Sequence, residues 1–223
     1  MFLELRNNLN RFIEFLLNLV FIKKCIVCSC AKTDDLLCKS CAKAVHYLSG
    51  FPHKIYNEIP IYSAALYQDT VKSLIGNLKF KHKKTSAIVL GKILFDYFQK
   101  TGDKNKDYII CFVPSYFTKS ATRGYNHMFL IAKEFSNLTG IEINKNLINK
   151  IKYTKPQYKS KNRQKNIKGS FRINNREINS IKGKTVILLD DITTSGATLE
   201  EILNCFIKKG IKNIICLTVA KAG

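Results

Sequence analysis

At 223 residues the chain suits one α/β domain of ordinary size with a small appendage. Its 37 Lys and Arg against 16 Asp and Glu give a formal charge of +21, which favours polyanionic partners such as nucleic acid, nucleotides or an acidic membrane surface over basic ones. No uninterrupted apolar run reaches the roughly 18 to 20 residues of a membrane-spanning helix.

In the first 22 residues Phe2, Leu3, Leu5, Leu9, Phe12, Ile13, Leu16, Leu17, Leu19 and Val20 recur largely at helical spacing, interrupted by Glu4, Arg6, Arg11 and Glu14. No small-residue cleavage site follows, so the segment reads as an amphipathic helix that packs on the domain or a partner, with surface membrane association the lesser alternative, and not as a signal peptide. Cysteines then cluster. Cys25-x-x-Cys28 and Cys38-x-x-Cys41 are paired units of the kind that hold a tetrahedral zinc through four thiolates. Cys30 is spare; it could replace Cys28, but only the 25/28 pair repeats the spacing of 38/41. A disulfide framework fits less well, because the clustered cysteines are odd in number and nothing marks the chain for export. Four thiolates leave no open coordination position, so such a zinc is structural. Cys111, Cys205 and Cys216 fall in apolar patterns and read as small core residues. Residues 1–50 are thus expected to form an N-terminal helix and a zinc-binding module, and 51–223 a second domain, with Ser49-Gly50-Phe51-Pro52-His53 as linker.

The second domain alternates. Ile61 to Tyr67 reads as a strand and Thr70 to Phe80 as a helix with Val71, Leu74, Ile75 and Leu78 inside; the basic connection Lys79 to Lys84 follows. A second helix spans about Ser86 to Gln99, a strand runs from Ile109 to Val113 and stops at Pro114, and a third helix runs from about Asn126 to Leu138, ending at Thr139-Gly140. Strands alternating with helices over this length argue for a parallel α/β sheet. Between Glu142 and Lys184 basic residues then dominate, with Glu142 and Glu177 the only acids. Tyr153, Lys155, Tyr158, Lys159, Lys161, Arg163 and Lys165 interleave charge with aromatic rings. That pattern suits single-stranded nucleic acid, where cations track phosphate and rings stack on bases. It suits an active-site lid over a diphosphate, or a solvated charged hairpin, equally well. The overall lysine excess also admits a purely compositional origin in a Lys-, Asn- and Ile-rich chain.

Chemistry concentrates between Lys184 and Gly210. Val186 to Leu189 are continuously apolar and β-prone, as in a strand buried on both faces. From Leu199 the period becomes helical, with Ile202, Leu203, Phe206 and Ile207 on one face and Gly210 as the stop. Between strand and helix lie Asp190 and Asp191, then Thr194, Ser195, Gly196, Ala197 and Thr198. Small residues let backbone N–H groups at a helix N-terminus close on a phosphate, and the hydroxyls can donate to it as well. Gly196 supplies close approach or positive φ. Two aspartates are a poor choice for phosphate, so they are expected to face ribose hydroxyls or a Mg²⁺. The carboxyl end of a strand in an open α/β sheet is where such folds bind ligands.

Leu188 to Thr198 resembles the 5-phosphoribosyl-1-diphosphate (PRPP) motif of type I phosphoribosyltransferases, with Ser195 where threonine is usual. The paired CxxC units, Lys79 and Lys81, Val113-Pro114, Arg123-Gly124-Tyr125-Asn126, Gln157 with Arg163 and Asn166, and Phe171 occur in the order seen in the ComF family of competence proteins, which includes GntX-type relatives. Ser115 stands where that family usually has a second proline, and His127 where it has glutamine. The resemblance implies a zinc-ribbon-like module and a parallel-sheet phosphoribosyltransferase-like domain, acting in the cytoplasm at the inner membrane face during uptake of single-stranded DNA in natural transformation. For a transfer it implies that Asp190 and Asp191, the candidate catalytic pair, hold the ribose hydroxyls. Thr194 to Thr198 would take the 5-phosphate, and Lys79, Lys81 or Arg123 the departing diphosphate with Mg²⁺. No residue reads as a dedicated general base, and no acceptor is readable. A phosphoribosyltransferase acting on a small base in nucleotide salvage is the alternative; it would need a base-reading pocket, and none is recognisable in the sequence.

Overall fold

The computed structural model describes residues 24–30, 33, 35–103, 105–115, 124–152 and 167–223. The expected N-terminal helix, Arg123, and the Tyr153 to Lys165 set lie outside the described residues. The chain divides into two units, one ending at Ala44 and one starting at Val45. In the first, α1 (Lys39–Lys43) starts after Cys38, its N-cap, carries Cys41 and buries none of its residues.

The unit from Val45 onward is built on a five-stranded sheet in the order β1-β2-β7-β6-β3. Its strands are β1 (Lys54–Tyr56), β2 (Ile59–Leu66), β3 (Tyr108–Phe112), β6 (Thr185–Thr193) and β7 (Ile214–Lys221). β2, β7, β6 and β3 pair in parallel, while β1 turns back antiparallel on β2. Two elements go beyond the sequence expectations. β7 lies between β2 and β6 although no strand was expected after Gly210. The expected linker also belongs to the sheet unit: Leu48 N–H donates to the Ala64 carbonyl, Leu66 N–H to that of His46, and His53 N–H to that of Ile61. Pairing with β2 draws residues 46–53 into the unit that starts at Val45.

Alternation along the strands makes two cores. Val186 and Leu188 of β6 join Ile109, Cys111, Ile214 and Cys216 in a buried cluster with Leu199, Ile202, Leu203 and Phe206 of α5 (Ala197–Ile207). The small hairpin of β4 (Ile148–Lys150) and β5 (Phe171–Ile173) and the 3-10 turn at Asn175–Ile181 complete that side through Ile148, Phe171, Ile173 and Ile181. Ile187 and Leu189 carry the opposite register, the side of α2 (Asp69–Phe80), α3 (Ser86–Thr101) and α4 (His127–Thr139), whose Leu74, Leu90, Leu94, Ile131 and Phe135 are fully buried. α3 and α4 cross closely at Gly91, where a Cβ would sit 2.5 Å from that of Glu134. α2's last turn and α4's first turn meet at the carboxyl end of β6, where Lys79 and His127 both contact Asp191.

Candidate functional site

β6 keeps its apolar run through Leu189 and places Asp190 and Asp191 at its carboxyl end, still paired with β7 through Asp190 and Thr218. Gly196 follows at φ 82°, the left-handed conformation that glycine adopts without penalty, and α5 begins at Ala197. Ser195 and Thr194 lie between strand and helix, and Ser195 Oγ is 3.5 Å from the Ala197 amide. Lys54 of β1 reaches this loop: its ammonium donates to the Ser195 carbonyl at 3.0 Å and pairs with Glu200 in the first turn of α5. Thr198 falls within that same first turn. The loop and helix start therefore have the form that presents N–H groups to an anion.

The aspartates diverge. Asp191 is 6% exposed, and its Oδ2 accepts from Lys79 Nζ at 2.5 Å and from His127 Nε2 at 2.8 Å. Burial works to raise this carboxyl, but the Lys79 and His127 contacts outweigh it and hold it well below the usual carboxylate range. Burial acts on Lys79 in the opposite sense and is likewise outweighed by Asp191, so the ammonium is held above its ordinary value. Asp190 forms no ion pair among the described residues; its Oδ1 accepts the Asp191 N–H at 2.9 Å. Burial and the adjacent Asp191 charge push its carboxyl up to about 7, against the opposing pull of Lys79 and Lys150.

Sequence reasoning selected Lys79 for a diphosphate and noted His127 only as a departure from a family pattern; the structure brings both to one carboxylate oxygen. It also brings the departures together, with Ser115 Oγ 3.5 Å from His127 Nδ1. The signal available in the sequence was a basic residue at the start of an amphipathic helix, which is weak without the fold. The described part of the Arg-Gly-Tyr-Asn segment has a structural use: the Tyr125 hydroxyl donates to the Leu78 carbonyl, and the Asn126 side chain accepts from the Met128 and Phe129 amides to cap α4. Lys81 is the C-cap of α2, in an exposed position, its N–H donating to the Asn77 carbonyl. Lys150 lies over the Phe171 ring at 5.2 Å, in the β4–β5 hairpin from whose strands the basic segment departs and returns.

In the first unit, the Sγ atoms of Cys25, Cys28, Cys38 and Cys41 all lie within 4.8 Å of one another, and Cys28 and Cys38 are 3.8 Å apart. Four thiolates at about 2.3 Å from a tetrahedral metal are separated by about 3.8 Å, so the donor set fits one ion. Burial would raise the Cys25 thiol, but backbone hydrogen bonds from Cys38, Cys28 and Val27 bring it down to about 6. Burial and the neighbouring sulfurs instead push Cys41 up to about 12, a repulsion that a bound cation would reverse. Cys30 is exposed and lies 3.0 Å from Cys28, outside the set of four.

Comparison with known proteins agrees with this geometry. A phosphoribosyl transferase domain matches residues 121–223. The chain is 26% identical over 201 residues to DNA utilization protein YhgH of Escherichia coli O157:H7, covering 85% of this chain and 86% of that protein. It is 26% identical over 197 residues to YhgH of Escherichia coli strain K12, covering 83% and 85%. To Competence protein F of Haemophilus influenzae it is 31% identical over 112 residues, covering 49% and 48%.

Proposed function

We propose that this chain, a homologue of DNA utilization protein YhgH and Competence protein F with a phosphoribosyl transferase domain, binds PRPP and single-stranded DNA in DNA uptake during natural transformation. The observation that carries the PRPP half is the carboxyl end of β6, where two carboxylates precede a left-handed Gly196 and the N-terminus of α5. A ligand with phosphate at one end and hydroxyls at the other suits that order. Thr194, Ser195, Gly196, Ala197 and Thr198 take the 5-phosphate through N–H groups and hydroxyls. Asp190, whose carboxyl must lose its proton to do so, holds ribose hydroxyls or the Mg²⁺ that accompanies PRPP. Lys79, with Lys81 and Arg123, meets the diphosphate. The Mg²⁺ supplies charge neutralisation at the diphosphate.

DNA binding is assigned to Tyr153, Lys155, Tyr158, Lys159, Lys161, Arg163 and Lys165, on the charge and aromatic pattern of the sequence and the names of the relatives. The four clustered thiolates hold a structural zinc. The protein works in the cytoplasm, peripherally at the inner membrane face; among the described residues no helix is long and apolar enough to cross a membrane. Titrating the purified chain with PRPP and with a short single strand, separately and together, tests the proposal. Both should bind. DNA affinity should fall by about 0.7 log unit per log unit of salt for each phosphate neutralised, and replacing Lys155, Lys159, Lys161 and Lys165 by alanine should reduce that slope. Equal affinity for duplex, or no measurable binding near physiological salt, assigns the DNA role to a partner.

A further inference from the structure

Adjacent carboxylates in one motif invite a shared task, but a strand points successive side chains to opposite faces. Asp190 continues the register of Val186 and Leu188, toward the α5 side. Asp191 continues that of Ile187 and Leu189, toward the side on which α2 ends and α4 begins. The two are therefore presented with different neighbours. Resting on the PRPP reading above, we propose that Asp191 is a positioning residue: it fixes the Lys79 ammonium for the diphosphate of PRPP, while Asp190 is the one of the pair that meets the sugar.

Three observations carry this. First, a single oxygen, Oδ2 of Asp191, receives both Lys79 and His127, at 2.5 and 2.8 Å, with the residue 6% exposed. A ribose hydroxyl or cation that took Oδ2 would displace two basic groups and leave buried charge uncompensated, so only the second oxygen of a nearly buried carboxylate is left for it. Second, the side chain of Lys79 is 20% exposed where that of Asp191 is 8% exposed. The ammonium is the more accessible member, so a polyanion can reach Lys79 with the ion pair intact. Third, the surroundings are built to hold this pair. Tyr125 anchors the Leu78 carbonyl, one residue before Lys79; Asn126 caps the helix that starts at His127; and His127 turns its second nitrogen to Ser115. A lysine has a long flexible stem and three rotatable donors, and the fixed carboxylate supplies the orientation that the side chain lacks.

The test compares two ligands that differ by the diphosphate. PRPP and ribose 5-phosphate are titrated, each with Mg²⁺, into the full-length parent and its Lys79→Gln, Asp191→Asn, Asp190→Asn and Lys79→Gln/Asp191→Asn variants. Lys79→Gln and Asp191→Asn should each weaken PRPP by about tenfold or more while leaving ribose 5-phosphate within about twofold. The double variant should be no worse than the weaker single one, because both substitutions break the same contact. Asp190→Asn should weaken both ligands alike. Equal loss of both ligands in Asp191→Asn, or additive loss in the double variant, overturns the proposal. Asp191→Asn leaves Lys79 buried without its carboxylate; if that prevents folding, Lys79→Gln, which keeps the His127 contact, decides alone, and equal loss of both ligands there overturns the proposal as well. A parent protein that binds neither ligand is a separate outcome: it removes the PRPP reading itself, and this assignment with it.

Discussion

Of the described residues before Val45, Cys25 and Cys38 are the buried ones, and both belong to the thiolate cluster; from Ile59 to Ala220 buried apolar side chains line both faces of the sheet. Described residues with so little apolar burial do little to offset the entropy of ordering their own backbone. The sheet unit can, because α5 on one face and α2 to α4 on the other remove large side chains such as Phe206, Phe135 and Leu90 from water. Cohesion in the second unit therefore comes from packing, whereas the described part of the first offers four clustered thiolates in its place.

Removing the metal should have the largest effect. Structural zinc in small modules is worth about 10 to 16 kcal/mol of apparent binding free energy at neutral pH, and that energy is folding energy. Substituting any one of Cys25, Cys28, Cys38 or Cys41 by serine should remove about one equivalent of zinc by elemental analysis and leave the sheet unit's melting transition in place. A metal-free first unit that stays folded, with Cys25 and Cys38 joined as a disulfide, would end the metal account. Phe206→Ala should do the reverse: the fully buried ring leaves a cavity costing about 3 to 5 kcal/mol, read as a lower denaturant midpoint, with zinc content unchanged.

Much of this contrast was legible in the sequence. The cysteine spacing announced the thiolate cluster because its geometry is local, and α2, α3, α4 and α5 followed from apolar period, since one face of each meets the sheet. What stayed hidden depended on pairing. β1 is three residues long and exists because Lys54 to Tyr56 fold back on β2. β7 is central only by virtue of a topology that inserts the chain's last strand between β2 and β6. The candidate site shows the same limit: Asp190, Asp191 and the Gly196 loop are contiguous and could be singled out as one motif, whereas the contacts of Asp191 with Lys79 and His127 span long separations in sequence and needed the fold.

Two smaller perturbations sharpen the contrast inside the packed unit. Gly91→Ala would push a Cβ to 2.5 Å from Glu134 Cβ between α3 and α4, and overpacking of this kind costs about 1 to 3 kcal/mol. A denaturant midpoint unchanged from the parent would mean that the two helices can separate freely. Asp190→Asn should act with the opposite sign. The carboxyl of Asp190 is raised from 3.8 to about 7, so the ligand-free native state takes up a proton. That contribution to stability is fully present below the unfolded value and is lost as pH rises through about 7. The variant should therefore melt higher than the parent at pH 8 and lose the advantage on acidification toward pH 4. An equal melting temperature at both pH values would show that Asp190 is ordinarily solvated.

The central claim, that the end of β6 and the start of α5 form a PRPP site, meets its most direct test in a calorimetric titration of PRPP with Mg²⁺ into the full-length protein and its Asp190→Ala variant. The account predicts saturable one-to-one binding that weakens in the variant by about 1.5 to 3 kcal/mol, or roughly ten- to a hundredfold, with the fold and zinc content retained. Undiminished affinity in a folded Asp190→Ala protein, or no heat of binding in the parent, would contradict it.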